Sequence, residues 1–115
     1  MADFVEHGRA AIDSVRANLA KTRLDAHARV HATDVERFLA ATTEGPWDLV
    51  VVDPPYEVRA IVAPLSALVR HLAPGAVVVV KHFWRTGMPP IDRLVEVRQR
   101  RFGETMLTFL ELEDA

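Results

Sequence analysis

Asp48-Leu49-Val50-Val51-Val52-Asp53-Pro54-Pro55-Tyr56 is the stretch on which the fold turns. Four consecutive apolar residues, opened by Trp47-Asp48 and stopped by Asp53-Pro54-Pro55, read as a β-strand buried on both faces, like the inner strands of a parallel sheet. Open parallel sheets gather ligands outside the carboxyl ends of their strands, so chemistry is expected in the turn after Val52. Each proline fixes its own φ and biases the residue before it toward extended backbone, which makes Asp53-Pro54-Pro55 stiff. The Asp53 carboxylate and the Pro54 carbonyl, held together, form a double acceptor for an amino group with two N–H donors. Tyr56 adds a flat face on which a base can stack. Asp-Pro-Pro also serves as a plain strand-ending turn, and residue types alone leave both readings open.

Outward from this stretch, strands and helices alternate. Ala2 to Glu6 reads as a short strand with Phe4 and Val5 apolar and Glu6 at its carboxyl end, the place where a carboxylate can grip a ribose in nucleotide-binding folds. From Arg9 to Thr22, Ala10, Ile12, Val15, Leu19 and Ala20 recur at helical spacing, with Arg16 and Lys21 on the other face. Ala28-Arg29-Val30-His31 is a second strand. Thr33-Asp34 then opens a short helix to Ala41 that buries Val35, Phe38 and Leu39, with Asp34 as its N-cap.

After the central strand, Val58 to Leu72 returns to helical spacing, and Pro64 either kinks that helix or marks its start. Ala73-Pro74-Gly75 is a stop signal before a buried strand, Ala76 to Val80. Phe83 and Trp84 follow on the same rim as Tyr56, where they shape a base pocket or cover the end of the sheet. Met88-Pro89-Pro90 repeats a Pro-Pro with no aspartate and no strand before it, and carries no chemistry. Leu94 to Phe102 and Thr105 to Leu112, joined by Gly103-Glu104, form an edge hairpin. Strand and helix in repetition argue for an α/β layered fold with a parallel sheet.

A chain of 115 residues, half of them hydrophobic, makes one domain. No run of eighteen apolar residues is present to cross a membrane, and the N-terminus lacks the order of a signal peptide, so a cytoplasmic location is expected. The absence of cysteine excludes a disulfide framework and a thiolate metal site. The histidines are scattered without ligand spacing, so no metal is expected. The net charge of −2 is not that of a protein that coats nucleic acid. Residues 81 to 101, however, concentrate Lys81, Arg85, Arg93, Arg98, Arg100 and Arg101 against Asp92 and Glu96, a local excess that either meets phosphates or is simply solvated.

Asp53-Pro54-Pro55-Tyr56 after an apolar strand resembles the (Asp/Asn)-Pro-Pro-(Tyr/Phe) motif of class I S-adenosylmethionine-dependent methyltransferases that modify a base amino nitrogen. Phe4-Val5-Glu6, Arg16-Ala17-Asn18-Leu19, His31-Ala32-Thr33-Asp34 and Arg100-Arg101-Phe102-Gly103-Glu104-Thr105 narrow the resemblance to the RsmD-like family, which methylates a guanine amino group in small-subunit ribosomal RNA. The resemblance implies a single Rossmann-like domain over residues 1–115, a parallel sheet with a C-terminal antiparallel hairpin, and S-adenosylmethionine as cofactor. It implies roles for Glu6 and Asp34 toward that cofactor, for Asp53, Pro54, Pro55 and Tyr56 toward the base, and for Arg98, Arg100 and Arg101 toward RNA phosphates. The partner would be ribosomal RNA or a small-subunit particle. Lys81-His82 departs from the family pattern, which has an acidic residue before the histidine.

The family's glycine-rich cofactor turn has no counterpart among Gly8, Gly45, Gly75, Gly87 and Gly103. The first strand of the fold is therefore expected to be missing, and the chain to be an N-terminally truncated domain. The absent strand would lie between those ending at Glu6 and Asp53. The sheet would then close the gap, leave two unpaired edges, or borrow a strand by dimerisation or from a partner. Two further readings stand beside the enzyme: an inactive structural α/β domain that needs a partner segment, and a DNA amino-methyltransferase.

Overall fold

The computed structural model describes residues 1–53 and 58–113, and the chain divides into two units, Met1–Thr42 and Thr43–Ala115. In the first unit, β1 (Ala2–Glu6) lies parallel to β2 (Ala28–Ala32), in register from Ala2 opposite Ala28 to Glu6 opposite Ala32. Parallel neighbours need a crossover, and α1 (Arg9–Thr22) supplies it, burying Ile12. The helix ends as its residues dictate. Arg23 turns left-handed at φ 60°, Leu24 N–H reaches back to Leu19 C=O at 2.9 Å, and Arg23 N–H donates to Ala20 C=O. A 3₁₀ turn over Asp25–His27 leads into β2. Asp34 then caps α2 (Val35–Ala41) by accepting from Arg37 N–H at 2.8 Å, and α2 buries Phe38 and Leu39.

The two strands are also fastened by charge. Asp3 accepts from Arg29 through both oxygens, at 2.8 and 3.1 Å, and its Oδ1 lies 2.9 Å from His31 Nε2. Its side chain is only 4% exposed. The His31 ring packs on Phe38, with centroids 4.5 Å apart, so this polar cluster joins both strands to α2.

The second unit holds β3 (Trp47–Val52), α3 (Val62–Leu68) between two 3₁₀ turns, β4 (Leu72–Phe83), β5 (Leu94–Phe102) and β6 (Thr105–Leu112). The strand order is β3-β4-β6-β5, with β3 parallel to β4 and the hairpin strands antiparallel. Pro64 falls in the first turn of α3, where its missing N–H would have had no helical partner; the helix begins two residues before it rather than kinking.

Alternation along the strands gives this sheet two unlike faces. On one, Val78 and Val80 of β4 with Thr108 and Leu110 of β6 are buried, as are Ile61, Leu65 and Leu68. Thr108 brings a hydroxyl into this core and satisfies it. Gln99 Nε2 donates to Thr108 Oγ1 at 3.0 Å, and Thr108 Oγ1 lies 2.6 Å from His82 Nε2. Phe83 C=O can only accept, so His82 Nδ1, 3.0 Å away, carries the ring proton, and in the neutral ring Nε2 accepts from the Thr108 hydroxyl.

The opposite face corrects the sequence expectation for β3. Leu49 is 62% and Val51 69% exposed, while Val50 and Val52 are half-buried beside Val78 and Val80, so β3 is covered on one face rather than on both. β3 is also the edge of its sheet, with a neighbour on one side among the described residues. Among the described residues β1 and β2 pair only with each other, and β3 and β5 are the edges of the four-stranded sheet. The stop signal at Ala73-Pro74-Gly75 lies inside β4. Trp47 pairs with Leu72 and Leu49 with Val77, so the intervening residues bulge out of the ladder, with Gly75 at φ 78°. The hairpin forms where its residues place it, turning at Gly103 with φ 61°.

Candidate functional site

Pairing in β1 and β2 brings Glu6 and the Thr33-Asp34 turn to one end of the two-stranded sheet, and Thr33 N–H donates to Glu6 C=O at 3.1 Å. The Glu6 carboxylate is oriented by its own loop. Oε1 accepts from His7 N–H at 3.1 Å and Gly8 N–H at 2.8 Å, while Oε2 makes no hydrogen bond among the described residues. Gly8 is fitted closely to this arrangement: a Cβ there would stand 3.2 Å from Glu6 Oε1. An oriented carboxylate with one oxygen open at a strand end is the acceptor that a ribose diol needs, so these residues fit a nucleoside-bearing cofactor. Asp34 has Oδ1 engaged by the α2 cap, and it sits two residues past β2 on the same rim.

In the second unit Asp53 follows β3 immediately and is 65% exposed. Lys81 is its neighbour across the pair, with Nζ 3.7 Å from Asp53 Oδ2, an exposed and loose ion pair. The non-family residue at position 81 thus stands beside the expected reactive carboxylate. Pro54, Pro55 and Tyr56 lie outside the described residues.

β4 runs three residues beyond Val80, where its pairing with β3 ends, so Phe83 stands about 10 Å further along the strand direction. Phe83 pairs with Thr105, and Thr105 with Phe102, which brings the hairpin turn to the same rim as Asp53. The three expected RNA-binding arginines divide between the faces. Arg98 and Arg100 are opposite Phe109 and Leu107, on the face of Val79 and Lys81; Arg101 is opposite Met106, on the face of His82. Arg98 and Arg100 lie 5.8 and 5.9 Å from the Phe109 and Phe102 ring centres. The Arg101 guanidinium stacks on Trp84 at 3.6 Å.

The Asp3–Arg29–His31 cluster and the Thr108 network are polar centres that sequence reasoning missed. Their members lie 26 and 28 residues apart in the first cluster, and 26 and 9 in the second, so only strand register brings them together. No group of three or more potential metal ligands gathers among the described residues. No helix of the described residues is long and apolar enough to cross a membrane.

Similarity to known proteins runs along nearly the whole chain. YlbH of Bacillus subtilis, whose name describes an rRNA methyltransferase, is 31% identical over 107 residues, 89% of this chain and 58% of YlbH. The chain thus spans little more than half the length of that relative. A Streptococcus pyogenes structure described as a conserved hypothetical protein matches with a TM-score of 0.85 and 27% identity, over 96% of this chain and 71% of that one. Escherichia coli yhhF, described as a methyltransferase, matches with a TM-score of 0.82 and 24% identity, over 98% of this chain and 64% of that one. The α/β architecture is that of the class I methyltransferases. The family model Conserved hypothetical protein 95 matches residues 1–111, and this chain belongs to that family, the RsmD family that its motifs resemble.

Proposed function

We propose that this chain works as a methyltransferase domain that transfers a methyl group to the exocyclic amino nitrogen of a guanine in small-subunit ribosomal RNA. The observation that carries the reading is Asp53, an exposed carboxylate at the carboxyl end of a parallel strand, beginning the Asp-Pro-Pro-Tyr motif. Family membership and a relative named for rRNA methylation support the substrate class.

S-adenosylmethionine supplies, when bound, a methyl group made electrophilic by its sulfonium. Glu6 accepts from the ribose hydroxyls and Asp34 from the adenine amino group. Asp53 and the Pro54 carbonyl accept hydrogen bonds from the two amino N–H groups of guanine, with Pro55 as part of the same motif. Tyr56 stacks on the base after it has left its own stack. The guanine amine is a poor nucleophile because its lone pair is delocalised into the ring; two acceptors that favour a tetrahedral nitrogen localise it. Arg98, Arg100 and Arg101 meet phosphates of the RNA or of the small-subunit particle, in the cytoplasm.

The first test is calorimetric titration of S-adenosylhomocysteine into the 115-residue chain, with Glu6→Ala as control. Binding that is lost in the control supports the cofactor site, and methyl transfer to ribosomal RNA is then assayed. A folded chain that binds nothing removes the proposal that it acts alone. One observation favours a second reading, in which the chain works only when another strand completes it: Leu49 and Val51 are exposed on an unpaired edge. Light scattering that shows a monomer without activity, together with activity restored by an added polypeptide segment, would favour that reading.

A further inference from the structure

Beyond the reacting carboxylate, the rim carries a second constellation. The backbone N–H of Trp84 donates to Glu104 C=O at 2.9 Å, which ties the end of β4 to the hairpin turn. Two guanidinium groups lie over the Trp84 ring, Arg101 at 3.6 Å and Arg85 at 4.7 Å from its centre. Arg101 Nε donates to Gly103 C=O at 2.7 Å; its terminal nitrogens make no hydrogen bond among the described residues. The Phe83 ring adjoins at 6.3 Å, and Phe83 and Phe102 are both about half exposed. An arginine held flat on an aromatic ring is oriented before any ligand arrives, so less side-chain freedom is lost on binding. Three cations here, Arg85, Arg100 and Arg101, face one carboxylate at the turn, Glu104.

We infer that Arg85, Trp84 and Arg101, with Phe83 beside Trp84 and Phe102 on the other face of the same hairpin end, form a grip for a single-stranded RNA segment that passes over this end of the sheet, distinct from the residues that receive the target base. The inference rests on the proposed RNA substrate. Guanidinium nitrogens hold phosphates, and bases stack on the two exposed phenylalanines and on the outer planes of the arginines, the pattern by which unpaired RNA is held. A fully base-paired segment would hide those base faces. A buried apolar patch for a protein partner would not place two exposed guanidinium groups on its central ring.

The test measures binding of the whole chain to two probes, a single-stranded decaribonucleotide and inorganic polyphosphate of equal charge. A Trp47→Phe background makes Trp84 the remaining tryptophan. The RNA is expected to alter Trp84 fluorescence. Phe102→Ala and Phe83→Ala should each weaken RNA binding about five- to tenfold and leave polyphosphate binding unchanged. Arg85→Gln should weaken both probes and lower the salt slope by about one. Trp84→Tyr should keep most of the RNA affinity that Trp84→Ala loses. Phe102 is at an exposed turn, so its substitution reads out even if Trp84→Ala fails to fold. RNA binding that ignores both phenylalanines overturns the grip and spares the substrate reading. Equal competition by an acidic decapeptide overturns the grip in favour of a protein partner. RNA binding absent from the parent chain overturns the grip and the substrate reading together.

Discussion

Asp3 and Asp53 are both aspartates on parallel strands, and the fold uses them in opposite ways. Asp3 is 4% exposed, with both oxygens bound by Arg29 and one also beside His31. Asp53 is 65% exposed and, among the described residues, is paired loosely with Lys81 at 3.7 Å. A carboxylate whose acceptor sites are filled by its own sheet stabilises that sheet. One left open just past a strand end is available to a ligand.

The largest effect should come from breaking the filled member. Asp3→Ala removes the buried carboxylate that Arg29 and His31 share and should cost about 3 kcal/mol of stability, read as a lower urea midpoint with unchanged slope. A loss below about 1 kcal/mol would mean that the cluster is solvated in solution. Asp53→Ala should do the reverse, lowering methyl transfer about 100-fold, near 2.7 kcal/mol, with no change in the urea midpoint. Transfer that survives intact would remove Asp53 from the chemistry. The Thr108 network offers an intermediate case. Thr108→Val keeps the shape and removes the hydroxyl that Gln99 Nε2 and His82 Nε2 share, at about 1 to 2 kcal/mol by thermal or urea unfolding. Smallest of all, Lys81→Met should change stability by less than about 1 kcal/mol, because its ion pair with Asp53 is exposed. A larger loss would show that Lys81 and Asp53 are far less open than the comparison requires.

Much of the first unit was legible in the sequence because its signals are local. The α1 pattern from Arg9 to Thr22 and the Asp34 cap are written within a few turns of the chain. The hairpin was legible for the same reason, through alternation interrupted at Gly103-Glu104. The exposure of β3 was not. Leu49 to Val52 is apolar at every position, so the pattern is the same whether a strand has neighbours on both sides or stands at an edge. The Ala73-Pro74-Gly75 bulge was hidden differently, since residues that end a strand also let one step out of its ladder and return. Asp3 gave no signal because its partners depend on register. Asp53 was marked by its turn chemistry, while its Lys81 neighbour emerged only from the pairing of β3 with β4.

Gly8 shows a different kind of control. Its backbone, at φ −77° and ψ 121°, is one that any residue can adopt, so conformation does not demand glycine there. The constraint is spatial: an added methyl group would press within 3.2 Å of Glu6 Oε1. A single carbon at position 8 would therefore re-aim the carboxylate. On the proposed role of Glu6, affinity for the nucleoside could then be adjusted through position 8 as a dial, with the Glu6 carboxylate left chemically intact.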